Sequence, residues 1–86
     1  MAFEVSKVFV LSTSHVPEDK QHELDANGSP TIYGWFISTC AIENMAEDNY
    51  FSWVNPILHF VHQEKAQYVM FDSDGPVYSE LMCYEW

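Results

Sequence analysis

The sequence predicts an α+β fold, a two-layer sandwich in which two helices cover one face of a sheet. Apolar, β-branched segments alternate with segments that carry helix-start and helix-stop residues, in the order β-α-β-α-β-β. The chain has 86 residues, of which 48% are hydrophobic, and this is enough for one modest core. No repeat or linker divides it, so residues 1–86 are predicted to form a single domain.

The first half of the chain is predicted to contain a strand, a helix and a second strand. The first strand covers Val5–Thr13, which is apolar and β-branched. Pro17 suits the first turn of the following helix, and Gly28 suits its end. A second strand is predicted over Thr31–Ile42, where Gly34 indicates a bulge or the close approach of another backbone. The polar residues 43–49 then end this strand as a loop.

The second half is predicted to contain the main core helix and a C-terminal hairpin. Apolar residues recur at helical spacing from residue 53 to residue 61. Asn55 and Pro56 favour a helix that starts at Pro56 after a separate helical turn, and the alternative is a longer helix that kinks at Pro56. A third strand over residues 66–72 leads into the turn sequence SDGP. Residues 77–86 are predicted to return as an edge strand, because Pro76 lacks an amide and fits best at a sheet edge.

The charge balance limits the classes of partner. The chain has 13 Asp and Glu residues against three Lys and no Arg, which gives a formal net charge of −10. Binding to nucleic acid or to an anionic membrane requires the cations that this chain lacks. A macromolecular partner is therefore expected to be basic. The acidity is also compatible with a role in solubility alone.

Asp72 and Asp74 follow an apolar segment, an order that resembles the first motif of haloacid-dehalogenase-type phosphotransferases. In that family the first aspartate attacks phosphorus, and a lysine and further carboxylates complete the site. Here only eleven residues follow Gly75, none of them is Lys, Arg or Asp, and Pro76 replaces the usual Thr. A turn explains the stretch better, so no catalytic residue and no enzymatic activity are predicted.

Metal and nucleotide motifs are incomplete. His59 and His62 share a helix face and could reach one zinc ion, but two ligands make a poor zinc site. An EF-hand alignment on Gly75 fails because Met70 and Leu81 take the first and last ligand positions. The three glycines form no phosphate-binding loop. No metal or cofactor is predicted.

The chain is expected to be cytoplasmic. The apolar run around residues 8–11 is too short for a signal peptide and lacks a basic leader. No apolar stretch reaches membrane-spanning length. Cys40 and Cys83 are then expected to be reduced. Sequence alone also allows one disulfide bond between them.

Three stretches, VFVLSTSHVPE, YGWFIST and MFDSDGPVYSELMCYEW, resemble a family of small bacterial proteins of unknown function. Members of that family are carried on plasmids, prophages and other mobile elements. The resemblance covers most of the chain, although residues 41–51 depart from it. It implies a mobile-element setting and assigns no activity and no catalytic residue.

Acidity and this setting together predict a non-enzymatic inhibitor of a host defence complex, of anti-CRISPR or anti-restriction type. Its carboxylates would stand where nucleic-acid phosphates lie in the cationic groove of a basic, nucleic-acid-binding host protein. Homodimerisation through the last strand is compatible with this hypothesis and with the two alternatives below. The candidate partner-binding residues are Glu18, Asp19, Glu23 and Asp25 on the first helix, with Glu43, Glu47, Asp48 and Tyr50 after the second strand.

Two alternatives belong to other functional classes. One is a protein-interaction module of a toxin–antitoxin or plasmid-maintenance system, which would use apolar and edge-strand contacts from Val77 to Trp86. The other is a small metal-dependent enzyme that would use Asp72, Asp74 and His59.

Overall fold

The computed structural model describes residues 5–47 and 52–84. Within these ranges the chain forms a four-stranded mixed sheet with the strand order β1-β4-β3-β2. Strand β4 is central, pairing in parallel with β1 and antiparallel with β3, while β2 pairs antiparallel with β3. The strands are β1 Val8–Ser12, β2 Ser29–Pro30, β3 Gly34–Ser38 and β4 Tyr68–Asp72.

The described helical segments connect these strands. Two 3-10 turns, Thr13–His15 and Glu18–Lys20, follow β1 and lead into the first α-helix. Two further α-helices lie in sequence between β3 and β4 and pack against each other. The α-helices are α1 Gln21–Asn27, α2 Thr39–Glu47 and α3 Val54–Gln63.

The helices bury one face of the sheet. Side chains alternate between the two faces of a strand, and in β4 Val69 and Phe71 are fully buried while their neighbours are only partly covered. Strand pairing places Leu11 of β1 beside Phe71, and Ile37 of β3 beside Val69. These four residues form one cluster with helix residues Leu24, Ile42, Met45, Val54, Ile57 and Val61. The predicted α+β class is therefore confirmed.

Helix α2 occupies residues that were predicted to extend the second strand and then to form a loop. The strand ends at Ser38, whose side-chain oxygen accepts a hydrogen bond from the amide of Ala41 at 3.2 Å, as an N-cap residue does. Ile42 and Met45, three residues apart, then lie on one buried helix face. The prediction was wrong here because Ile42 was assigned to the end of the strand and Met45 to the polar loop, so their helical spacing was missed.

Helix α3 begins at Val54, two residues before the predicted start at Pro56. Pro56 therefore lies in the first helical turn, where its missing amide would have had no intrahelical acceptor. The side-chain oxygen of Ser52 accepts a hydrogen bond from the amide of Val54 at 3.4 Å and supports this start.

The predicted C-terminal hairpin is not formed in the described part of the chain. Residues 73–84 contain turns and irregular backbone instead of an edge strand. The segment crosses β1 at one point, where Ser12 donates its amide to the carbonyl of Pro76 at 2.8 Å. A second contact joins the amide of Tyr84 to the carbonyl of Ser14 at 2.7 Å. Hydrogen bonds at these separated points hold the segment without a ladder.

Gly34 lies where two backbones nearly touch. Its φ is +156°, and a Cβ atom at this position would lie 1.9 Å from the carbonyl oxygen of Phe71 in β4. The predicted close approach at Gly34 is therefore confirmed. Only glycine combines this backbone conformation with the absence of a side chain.

We expect Gly34→Ala to lower the free energy of unfolding by about 2 kcal/mol or more, because the new methyl group forces β3 away from β4. The matched control is Ser29→Ala on the exposed β2, which should change stability by less than about 0.5 kcal/mol. Urea unfolding of the three proteins measures both values. Equal midpoints for Gly34→Ala and the parent would contradict the close approach.

Candidate functional site

The acidic residues of the first predicted helix lie on two consecutive elements. Glu18 and Asp19 are exposed in the 3-10 turn that precedes α1. Glu23 and Asp25 lie on α1 on either side of Leu24, which is fully buried. These four carboxylates lie within eight consecutive residues, 18–25, which we name the α1 acidic segment.

Two tryptophans orient carboxylates of the α1 acidic segment. The indole Nε1 of Trp53 donates a hydrogen bond to Oε2 of Glu23 at 2.9 Å. The indole Nε1 of Trp35 donates to Oδ1 of Asp25 at 2.7 Å. An indole is a neutral donor, so it fixes the position of a carboxylate without cancelling its charge. The sequence did not predict either of these two hydrogen bonds.

The second group of predicted residues lies on α2 instead of a loop. Glu43 and Glu47 are four residues apart and share one side of that helix. Oε1 of Glu43 lies 2.9 Å from Nε2 of His62, at the end of α3. Glu47 is exposed. The predicted residues Asp48 and Tyr50 lie outside the described residues.

The two acidic groups do not form one continuous cluster. Glu23 is bound by Trp53 directly before α3, whereas Glu43 is paired with His62 in the last turn of α3. At 1.5 Å per residue these two attachment points are separated by about 14 Å along the helix axis. The structure therefore presents two separate anionic patches.

Little of this negative charge is neutralised within the described ranges. The ion pairs found there are Lys7 with Glu64, at 3.8 Å between Nζ and Oε1, and the His62–Glu43 contact, which is ionic only when the histidine is protonated. Both pairs are largely exposed to solvent, where ion pairs contribute little. The α1 acidic segment has no cationic partner among the described residues.

Asp72 and Asp74 form a turn, in agreement with the structural interpretation of the DSDGP stretch. Oδ1 of Asp72 accepts the amide of Asp74 at 2.8 Å, and the Asp72 carbonyl accepts the amide of Gly75 at 2.8 Å. The amide of Ser73 donates to the carbonyl of Tyr33 at 2.8 Å and joins the turn to the β2–β3 hairpin. The Asp72 side chain thus holds its own loop.

The other candidate ligands are dispersed. Across residues 5–47 and 52–84, no group of three or more His, Cys, Asp or Glu side chains is arranged to hold a metal ion. His62 contacts Glu43, whereas His59 packs edge-on against Phe60 with ring centroids 5.3 Å apart. Cys40 and Cys83 are exposed free thiols.

His15 is a buried residue to which sequence reasoning assigned no role. Its Nδ1 lies 2.7 Å from the carbonyl of Met82, and its Nε2 lies 3.0 Å from the amide of Tyr78. A carbonyl only accepts and an amide only donates, so the ring is the neutral Nδ1–H tautomer. The ring of Tyr78 stacks beside it at 6.3 Å. His15 therefore ties the irregular C-terminal segment to the turn after β1.

None of the helices in the described ranges is long and apolar enough to cross a membrane.

We expect Glu23 and Trp53 to be coupled energetically. In a double-mutant cycle of Glu23→Gln and Trp53→Phe, the coupling energy should be about 1 kcal/mol in favour of the native pair. Because the donor is neutral, this value should change little between low and high salt. Pairing Glu18→Gln with Trp53→Phe serves as the control and should give additive effects. A coupling energy near zero for the first pair would contradict the contact.

His15→Leu retains the bulk of the side chain but leaves the Met82 carbonyl and the Tyr78 amide without their partner. We expect the free energy of unfolding to fall by about 3 kcal/mol. His22→Leu, at an exposed position of α1, should change it by less than about 0.5 kcal/mol. Thermal unfolding would test both variants, and similar midpoints would contradict a structural role for His15.

Comparison with known proteins places this chain in a family. Residues 8–86 match the model of the C-terminal domain of a family of unknown function, DUF5983. Neither the curated proteins nor the solved structures gave a match to the chain. The family match begins at β1 and extends through the C-terminal segment held by His15. The chain therefore belongs to the DUF5983 family.

Proposed function

We propose that this chain is a non-enzymatic binding protein that places its carboxylates in a cationic groove of a nucleic-acid-binding partner. The observation that carries this proposal is the charge of the α1 acidic segment, in a chain of net charge −10. Three of its four acidic residues are exposed, Glu23 is half-buried, and none has a cationic partner among the described residues. Such a charge attracts a basic surface and accelerates association with it. Occupation of the groove would then exclude nucleic acid.

The indole contacts support mimicry of nucleic acid over the alternative in which the acidity serves only solubility. A phosphate backbone presents negative charges at regular positions, and a mimic gains affinity when its own charges are held in place. Glu23 and Asp25 each use one oxygen for an indole hydrogen bond. Their other oxygens can accept hydrogen bonds from Lys or Arg side chains of the partner.

The biological setting that we propose is a bacterial mobile element, such as a phage or plasmid. Its partner there would be a host defence complex of CRISPR or restriction type, which holds DNA in a basic channel. This part of the proposal derives from the sequence resemblance and from the charge. No bond-making step is assigned to the chain.

Exposed apolar residues in the C-terminal segment favour a second candidate function. The side chains of Val77 and Met82 are 62% and 68% exposed. An interaction module of a toxin–antitoxin or plasmid-maintenance system could use them as contacts. Because no strand forms in the described part of this segment, such contacts would be made by side chains instead of a β-ladder.

The proposed mimicry predicts a binding loss specific to the α1 acidic segment. The probe is the protein fraction of a bacterial lysate that a duplex-DNA column retains. Immobilised parent protein should capture components of this fraction at low salt and release them as salt rises or when duplex DNA is added. Glu18→Gln with Asp19→Asn should weaken capture by about fivefold, because both carboxylates are exposed.

A control variant with the same change in net charge distinguishes the effect of where the carboxylates lie from the effect of total charge. Asp72→Asn with Asp74→Asn alters the turn after β4, and an Asn side-chain oxygen can still accept the loop hydrogen bond. This variant should bind like the parent. Capture that is unaffected by salt, or that falls equally in both variants, would contradict the proposal. If capture is lost in the double variant Val77→Ser with Met82→Ser and in neither carboxylate variant, the result would favour the interaction module.

A further inference from the structure

Strand β1 forms one edge of the sheet and exposes part of its backbone. The amide of Tyr68 in β4 donates to the carbonyl of Lys7 at 3.3 Å, which by strand alternation directs the backbone groups of Phe9 and Leu11 towards β4. The backbone groups of Val8, Val10 and Ser12 consequently point away from the sheet.

The C-terminal segment covers only the far end of this edge. Ser12 donates its amide to the Pro76 carbonyl, and the hydroxyl of Tyr78 donates to the Val10 carbonyl at 3.0 Å. The amides of Val8 and Val10 have no backbone partner among the described residues. Over its described residues, the C-terminal segment therefore forms a backbone hydrogen bond with β1 at Ser12 and none with the amides of Val8 and Val10.

A groove of about 460 Å³ runs beside these amides. Its other walls come from the end of α3 and from the C-terminal segment. Phe9 and Tyr78 stack there with ring centroids 5.5 Å apart, and Phe60 and Pro76 add further apolar surface. An apolar wall along the outer edge of a strand is the arrangement that accepts an additional extended segment.

We propose that this groove binds an extended, basic segment of a partner protein as an added strand beside β1. The incoming backbone would accept hydrogen bonds from the amides of Val8 and Val10. Its side chains would alternate between the apolar wall and the rim of the groove. Lys7 to Val10 line the groove and span about 13 Å of strand, enough for a four-residue segment.

Charge identifies a basic segment as the occupant. Glu64 and Glu80 line the groove; Glu64 is 3.8 Å from the largely exposed Lys7, and Glu80 has no ion-pair partner in the described ranges. A second copy of this chain would bring another net charge of −10 and another pair of these glutamates to the same place. Lys or Arg side chains of a partner would instead complement them.

This inference does not rest on nucleic-acid mimicry. The four residues of the α1 acidic segment do not line the groove. The two proposals therefore fail independently, since one depends on α1 carboxylates and the other on backbone amides of β1.

The experiment uses the full chain, isotopically labelled for amide NMR. The probe is the blocked peptide acetyl-Lys-Val-Lys-Val-Lys-Val-Lys-amide. On saturation we expect the amides of Val8 and Val10 to exchange with solvent at least tenfold more slowly, because they become hydrogen-bonded. The amides of Phe9 and Leu11, which already face β4, should change little.

Two peptide controls separate strand addition from attraction of charge alone. N-methylation of alternate amides preserves the lysines and valines but blocks pairing, and should raise Kd by about tenfold. Replacement of the lysines by glutamates should raise Kd at least as much. Equal affinity for the parent and N-methylated peptides would overturn the proposal, as would chemical-shift changes centred on α1.

Protein variants complete the test. Val8→Pro removes an outward amide at the first residue of an edge strand, where proline is tolerated, and should raise Kd about tenfold. Glu64→Gln with Glu80→Gln, both at exposed positions, should also weaken binding. This double variant provides the test if Val8→Pro fails to fold. Glu18→Gln with Asp19→Asn should change Kd by less than about twofold. Slow exchange of Val8 and Val10 in the free protein would mean that a second copy or the chain itself occupies the edge, and would overturn the proposal.

Discussion

The structure depends on the burial of one side of the central strand β4. Val69 and Phe71 are fully buried between two neighbouring strands and the helix layer. The approach of β3 to Phe71 is possible because Gly34 has no side chain. Trp53 packs against Phe71 with ring centroids 6.0 Å apart and also donates its indole hydrogen to Glu23. A continuous series of contacts therefore connects the centre of the core to a carboxylate of the α1 acidic segment.

This arrangement explains how a chain with few cations accommodates many carboxylates. Buried carboxylates would require charged partners, and the chain has only three lysines to provide them. The described carboxylates instead lie at exposed or half-buried positions, and several are held by neutral donors or by their own backbone. The charge of these described carboxylates therefore stays at or near the surface.

The C-terminal segment has irregular backbone, but specific contacts hold it in place at several points. Pro76 and Tyr78 contact the edge of β1, and His15 binds the backbone of Tyr78 and Met82 on its two ring nitrogens. Leu81 is buried in the core cluster. These contacts hold the segment beside β1, and within residues 5–47 and 52–84 they leave part of that edge open. Pro76 and Tyr78, which make two of these contacts, also line the groove.

The sequence by itself determined the α+β class, the three longer strands, the helix near Pro56, the turn at Asp72 to Gly75 and the close approach at Gly34. These features follow from side-chain alternation, turn residues and the special conformation of glycine, which act over a few neighbouring residues. Tertiary structure decided the helix at Thr39–Glu47, the absence of a C-terminal strand in the described residues, the strand order and the contacts of the tryptophans and His15. His15 and Tyr78, for example, are 63 residues apart in sequence. Such pairings depend on which surfaces are buried together when the whole chain folds, and local propensity carries no information about that.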